Sequence, residues 1–140
     1  MEEQLRFRYE VDGDNFTSAG EASVSVKKKL RQLGFAPEII RRVSIAMYEG
    51  EINMVIHAHG GRADVVVSKD KIEITLDDDG PGIPNVELAM QEGFSTAPDN
   101  IRSLGFGAGM GLPNMKRYTD TMKIQTELGK GTKIIMTVNI

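Results

Sequence analysis

Asp78-Asp79-Gly80-Pro81-Gly82-Ile83 is the stretch on which the reading of the chain turns. It follows Lys71-Ile72-Glu73-Ile74-Thr75-Leu76, where apolar and polar residues alternate. A period of two predicts a half-buried strand ending at Asp77. The stretch therefore sets a carboxylate at a strand end, followed by Gly-x-Gly. Glycine tolerates positive φ and lets a ligand lie close against the backbone. A buried carboxylate only accepts hydrogen bonds, so its natural partner is a donor such as the exocyclic amine of adenine. The same residues also suit a plain tight turn, because Asp, Gly and Pro are the usual turn formers. Two other stretches are needed to choose between these readings.

Working back from this stretch, residues 63–68 read as a strand joined to 71–77 by Lys69-Asp70, a link short enough for a hairpin. Before them, Pro37 fits the first turn of a helix. Ile40, Val43, Met47, Gly50 and Met54 keep a 3-4-3-4 spacing on one face of it, and it runs out near His59-Gly60-Gly61. An earlier helix is predicted from residue 17 or 18 to 33, with Ala22, Val26, Leu30 and Leu33 at helical spacing and Gly34 as its stop. Lys27-Lys28-Lys29 lies late in it and reads as a solvated face suited to the helix dipole. Residues 5–11 alternate and form a first strand, broken by Asp12-Gly13-Asp14-Asn15.

Working forward, residues 85–91 show a short helical pattern. Residues 92–110 are dense in breakers, with Gly93, Ser95, Thr96, Pro98, Asn100, Ser103, Gly105, Gly107 and Gly109. Loops this long in a small domain are usually functional or mobile. Residues 111–118 read as a helix, with Pro113 tolerable in its first turn. Residues 121–128 and 132–140 alternate around Gly129-Lys130-Gly131 and make a closing hairpin. About five strands and three or four helices result. Two hairpins make the sheet mixed or mostly antiparallel, and helices on one face make a two-layer α+β sandwich.

Composition narrows the class. A chain of 140 residues suits one domain, residues 1–140, with a core that needs no staples. It is 40% hydrophobic and 26% charged, as soluble globules are. Without cysteine there is no disulfide framework and no thiolate metal site. A net charge of −3 gives no hint of a general nucleic-acid surface. No apolar run reaches the ~18 residues of a membrane span. The acidic start, Met1-Glu2-Glu3-Gln4, lacks the regions of a signal peptide, so a cytoplasmic protein is expected.

The second stretch is Glu49-Gly50-Glu51-Ile52-Asn53. Glu49 and Asn53 stack one turn apart on a helix. Asn can offer a carbonyl oxygen to Mg²⁺, which keeps several waters and usually bridges to phosphates. A Glu one turn earlier can take a proton from a hydroxyl or water. The pair alone also reads as a solvated helix face. The third stretch is Gly105-Phe106-Gly107-Ala108-Gly109-Met110-Gly111, four alternating glycines just before a helix. Bare backbone N–H groups in such a run make a phosphate cradle. No Gly-Lys-Ser/Thr follows, so it is not a P-loop. It also lacks the strand and acidic residue of a Rossmann fingerprint.

Glu49-x-x-x-Asn53, Asp78-x-Gly80-x-Gly82, Gly107-x-Gly109-x-Gly111 and Gly129-x-Gly131-Thr132 together resemble the ordered boxes of the GHKL ATPases. That superfamily includes gyrase B, MutL, histidine kinases and bacterial anti-sigma serine kinases. The compact length, and Gly109-Met110-Gly111-Leu112-Pro113 running into Lys116-Arg117, are most similar to the anti-sigma-factor and stressosome switch-kinase branch, where the domain stands alone. The resemblance implies the Bergerat ATP-binding fold with ATP and Mg²⁺. It implies Glu49 as general base and Asn53 as the Mg²⁺ ligand. Asp78 would bind the adenine amine with Thr132 in support, and Gly80 and Gly82 would shape the adenine pocket. Gly105, Gly107, Gly109, Met110, Gly111 and Leu112 would line the phosphates, and residues 93–110 would be the ATP lid. Met54 and Glu51 depart from the pattern: a small residue usually follows the Asn, and an acidic residue is unexpected inside the first box.

The leading functional expectation is an ATP-dependent serine/threonine protein kinase that phosphorylates a small antagonist protein in a partner-switching pathway. Its partners would extend to a sigma factor or another regulator, without direct nucleic-acid or membrane contact, and related stand-alone domains often dimerise. The alternatives are a nucleotide-dependent binding switch without useful phosphoryl transfer, or a simple ATPase. His57 and His59 could be phosphoacceptors, but a histidine kinase carries its acceptor on a separate helical segment, for which 140 residues leave no room. Capping or surface roles are expected of both.

Overall fold

The alternating runs become five strands: β1 (Leu5–Asp12), β2 (Gly60–Val67), β3 (Lys71–Asp78), β4 (Thr121–Glu127) and β5 (Gly131–Asn139). The computed structural model describes residues 4–13, 20–58, 60–90 and 111–140. The strands hydrogen-bond in the order β1-β2-β3-β5-β4, and all four pairings are antiparallel. Period two places Ala63, Val65 and Val67, then Ile72, Ile74 and Leu76, then Ile134, Met136 and Val138 on one buried face. Full burial of each Val, Ile, Leu or Met among them is worth about 1.5–3 kcal/mol. The other face is polar: Arg6 grips Asp64 there with two N–H donors, the shorter at 2.8 Å.

Four helices join these strands among the described residues: α1 (Glu21–Gln32), α2 (Pro37–Ala58), the single turn α3 (Val86–Ala89) and α4 (Gly111–Arg117). Val26 and Leu30 of α1, Val43, Met47 and Met54 of α2, and Leu112 and Met115 of α4 share one core with the inner sheet face. This is the expected two-layer α+β sandwich with helices on one face. Gly50 sets how close α2 comes, because a Cβ there would collide with Leu76 Cδ1. At this point the missing atom lets the helix backbone approach the sheet.

Three local details differ from expectation. β2 starts at Gly60 rather than residue 63, pairing Gly60 and Gly61 with Asp12 and Val11. Two glycines carry no side chains, so alternation could not reveal them. α1 begins at Glu21, and residues 14–19 lie outside the described residues. Lys29 is not a solvated lysine like its exposed neighbours Lys27 and Lys28. Its ammonium donates to the Tyr9 hydroxyl at 3.0 Å and lies 4.5 Å from the centre of the Phe7 ring. The stem covers β1 while the charge meets two aromatic faces.

Glu51 explains itself only in three dimensions. It is 2% exposed, on the side of α2 that faces the start of α1. Helix starts leave backbone N–H groups without partners. α1 has no side-chain cap of its own, and Gly20 stands before it in the left-handed region. The Glu51 carboxylate fills the gap, accepting N–H groups from Gly20 at 3.0 Å, Ala22 at 3.2 Å and Ser23 at 2.6 Å. Burial pushes this carboxyl above its usual range, and the three N–H groups pull it back.

Candidate functional site

Asp78 closes β3 in phase with Leu76, so it belongs to the helix-facing side of the sheet. Asp77 belongs to the other side and meets Arg62 at 3.7 Å. The Asp78 Oδ1 atom accepts the N–H of Gly80 at 2.9 Å and of Thr132 at 3.2 Å. Burial raises the Asp78 pKa, these two donors lower it, and the neighbouring carboxylates of Asp77 and Asp79 raise it slightly further. The turn after Asp78 is latched to the β4–β5 hairpin. The Ile83 N–H donates to Thr126 Oγ1 at 2.8 Å, and the Thr126 and Thr132 hydroxyls bond at 2.9 Å. Gly129 donates its N–H to the Pro81 carbonyl at 2.9 Å.

Both glycines of the turn are required by space. A Cβ on Gly80 would lie 2.6 Å from Ala58 Cβ, at the end of α2. Gly82 has φ +83°, and a Cβ there would lie 2.6 Å from the Glu127 carbonyl oxygen. The turn thus sinks between α2 and the hairpin, which brings Asp78, Gly80, Gly82 and Thr132 into one wall.

Glu49 and Asn53 are half-buried, one turn apart on α2. Gly111 opens α4 beside Glu49: a Cβ there would stand 3.9 Å from Glu49 Oε2. Asn114 of α4 donates its side-chain N–H to Glu49 Oε1 at 3.4 Å. Burial raises the Glu49 pKa and the Asn114 donor opposes it. The C-terminal half of α2 therefore has Gly111 against Glu49 at one end and Gly80 against Ala58 at the other. Glu49 and Ala58 are nine residues apart, about 13 Å along the axis, with Asn53 between them.

Other sequence-predicted residues fall differently. The Leu112 side chain is buried in the core, so only its backbone can serve a ligand. Gly105, Gly107, Gly109 and Met110, the lid at 93–110, and His59 lie outside the described residues. His57 is half-buried in the last turn of α2, and burial lowers its pKa. Met54 is buried opposite Gly61, where a Cβ would come within 2.8 Å of its sulfur; the larger residue is matched by a missing side chain on β2. Thr126 and Asn114 went unnoticed in the sequence. Thr126 was findable, since folding the hairpin about Gly129-Lys130-Gly131 sets it opposite Thr132. Among the described residues no group of three or more His, Cys, Asp or Glu could hold a metal ion.

A carboxylate closes a strand, a glycine turn sinks beside a helix end, and Glu and Asn stand one turn apart on that helix. The chain belongs to the family described as histidine kinase-, DNA gyrase B- and HSP90-like ATPases, which matches residues 15–140. Within that family it is 34% identical over 139 residues to the anti-sigma F factor of Clostridium acetobutylicum, covering 95% of this chain and 90% of that protein. It is 32% identical to the anti-sigma F factor of Clostridium perfringens, over 97% and 96% of the two chains. The mycobacterial sensor histidine kinase MprB has the same fold, with a TM-score of 0.55 at 18% identity, covering 96% of this chain and 97% of the other. The resemblance read from the four boxes is borne out. No helix among the described residues is long and apolar enough to cross a membrane.

Proposed function

We propose that this protein is an ATP-dependent serine/threonine protein kinase of the anti-sigma-factor type, acting in the cytoplasm on a small antagonist protein and able to engage a sigma factor. The observation that supports this best is the layout along α2, with the Asp78 turn at Ala58, the start of α4 at Glu49, and Asn53 between. Asp78 accepts the adenine amine, on the carboxylate that Gly80 and Thr132 already orient. The glycines that lead into α4 hold the phosphates.

Asn53 would hold Mg²⁺, which supplies charge neutralisation to the phosphates when bound. Glu49 orients the substrate hydroxyl and accepts its proton. The hydroxyl oxygen forms a bond to the γ-phosphorus as the bond from that phosphorus to the bridging oxygen of ADP breaks. Phosphoryl transfer asks little more of a protein than positioning and charge stabilisation, which suits so small a set of groups. Similarity to anti-sigma F factors supports the partner class.

The test is transfer of labelled γ-phosphate from ATP to a candidate antagonist-type protein, run with ATP binding. A kinase binds ATP and labels a serine or threonine of that protein. Tight ATP binding with no transfer to any candidate antagonist would replace the kinase with a nucleotide-dependent binding switch.

A further inference from the structure

We propose that Asn114 is a positioning residue for Glu49, through which the seating of α4 sets the orientation of the Glu49 carboxylate. This rests on the reading of Glu49 as the base. A glutamate side chain has several rotatable bonds, and only one orientation serves proton transfer. Asn114 Nδ2 holds Oε1 at 3.4 Å, while Oε2 is the oxygen that faces Gly111. The assignment is therefore atom by atom: Oε1 is the anchored oxygen and Oε2 the one that takes the proton.

Two features let α4 carry this orientation. Leu112 and Met115, the residues two before and one after Asn114, are both buried, so the helix is pinned to the core by those two side chains. Met115 Cε would lie 3.4 Å from a Cβ on Gly50, the residue next to Glu49. The residues next to Asn114 and Glu49 thus pack against each other. A 3.4 Å bond is at the long end of useful geometry, so a shift of a few tenths of an ångström would strengthen or break it. Catalytic hydrogen bonds are often long before the substrate is bound and tighten afterwards. The donor also favours the charged carboxylate that a base needs, opposing the effect of burial.

The experiment compares wild type, Glu49→Gln, Asn114→Asp, Asn114→Gln and the double variant Glu49→Gln/Asn114→Asp. ATP binding and phosphoryl transfer are measured on each. Asn114→Asp keeps the shape, removes the donor and sets a second carboxylate against Glu49, and should lower kcat by ~10–100-fold with KM for ATP nearly unchanged. Asn114→Gln keeps the amide and should recover much of the loss. The double variant should be no slower than Glu49→Gln, because both changes act on one group. Wild-type kcat in Asn114→Asp beside an impaired Glu49→Gln overturns the role of Asn114 alone. So does a loss in Asn114→Asp that appears only in KM or that adds fully to Glu49→Gln. Wild-type transfer by Glu49→Gln removes the base assignment, and the positioning role with it.

Discussion

Glu49 and Asp78 are both carboxyls whose pKa is raised by burial, yet the proposed mechanism uses them at opposite ends of the candidate site. A base works only when deprotonated. At saturating ATP, kcat should therefore fall as the pH drops through the Glu49 pKa. Because that pKa is raised, the fall should begin above the ~4.3 of an ordinary glutamate. Protonation of Asp78 removes an acceptor and should instead appear in KM for ATP. Glu49→Gln should abolish the kcat limb and lower transfer by ~10²–10⁴. A pH–rate series on both proteins checks this, and an unchanged acid limb in Glu49→Gln would assign it elsewhere. At this scale the sequence was partly legible. Asp78 could be read because Ile72, Ile74 and Leu76 fixed the inward phase of the strand two residues before it. Asn114 could not, because its partner lies 65 positions away and a lone Asn beside Pro113 looks like ordinary helix-start chemistry.

At the scale of elements, α2 links the two halves of the account. One side carries Glu49 and Asn53, and another carries Glu51, which caps α1. Replacing Glu51 with Ala leaves three buried backbone N–H groups unpaired. Hydrogen bonds to charged groups are worth about 1.5–3 kcal/mol, so Glu51→Ala should lose at least that in urea unfolding, while Glu51→Gln loses less. A change within about 0.5 kcal/mol would mean that water or another acceptor caps α1 just as well. The helices and the β3 and β5 strands were legible because 3.6- and 2-residue periods are strong over such lengths. Glu51 was not: its partners are 28–31 residues away, and an acid in a helix otherwise reads as solvated. The start of β2 was hidden for the opposite reason, since Gly60 and Gly61 carry no pattern to read.

At the scale of the whole molecule, the antiparallel order β1-β2-β3-β5-β4 gathers the site at one end of the sheet. The end of β3 and the start of β5 meet there as Asp78 and Thr132, with the C-terminus of α2 behind them. Residues far apart in the chain become one wall because the open end of the β2–β3 hairpin meets the turn end of the β4–β5 hairpin. A ligand that binds only the folded chain stabilises it, by about 2.7 kcal/mol at a hundred times its Kd, so ATP and ADP should both raise Tm.

The most direct measurement of the central claim, that Asp78 anchors the nucleotide, is isothermal calorimetry of Mg-ATP and Mg-ADP on wild type and Asp78→Asn. The substitution keeps the size but replaces an acceptor-only group with an amide whose N–H₂ would face another donor. An unpaired buried partner costs ~1–3 kcal/mol, about one to two orders of magnitude in affinity. The account predicts that loss for both nucleotides, equally, because both share the adenine. Unchanged affinity in a folded Asp78→Asn protein would contradict it.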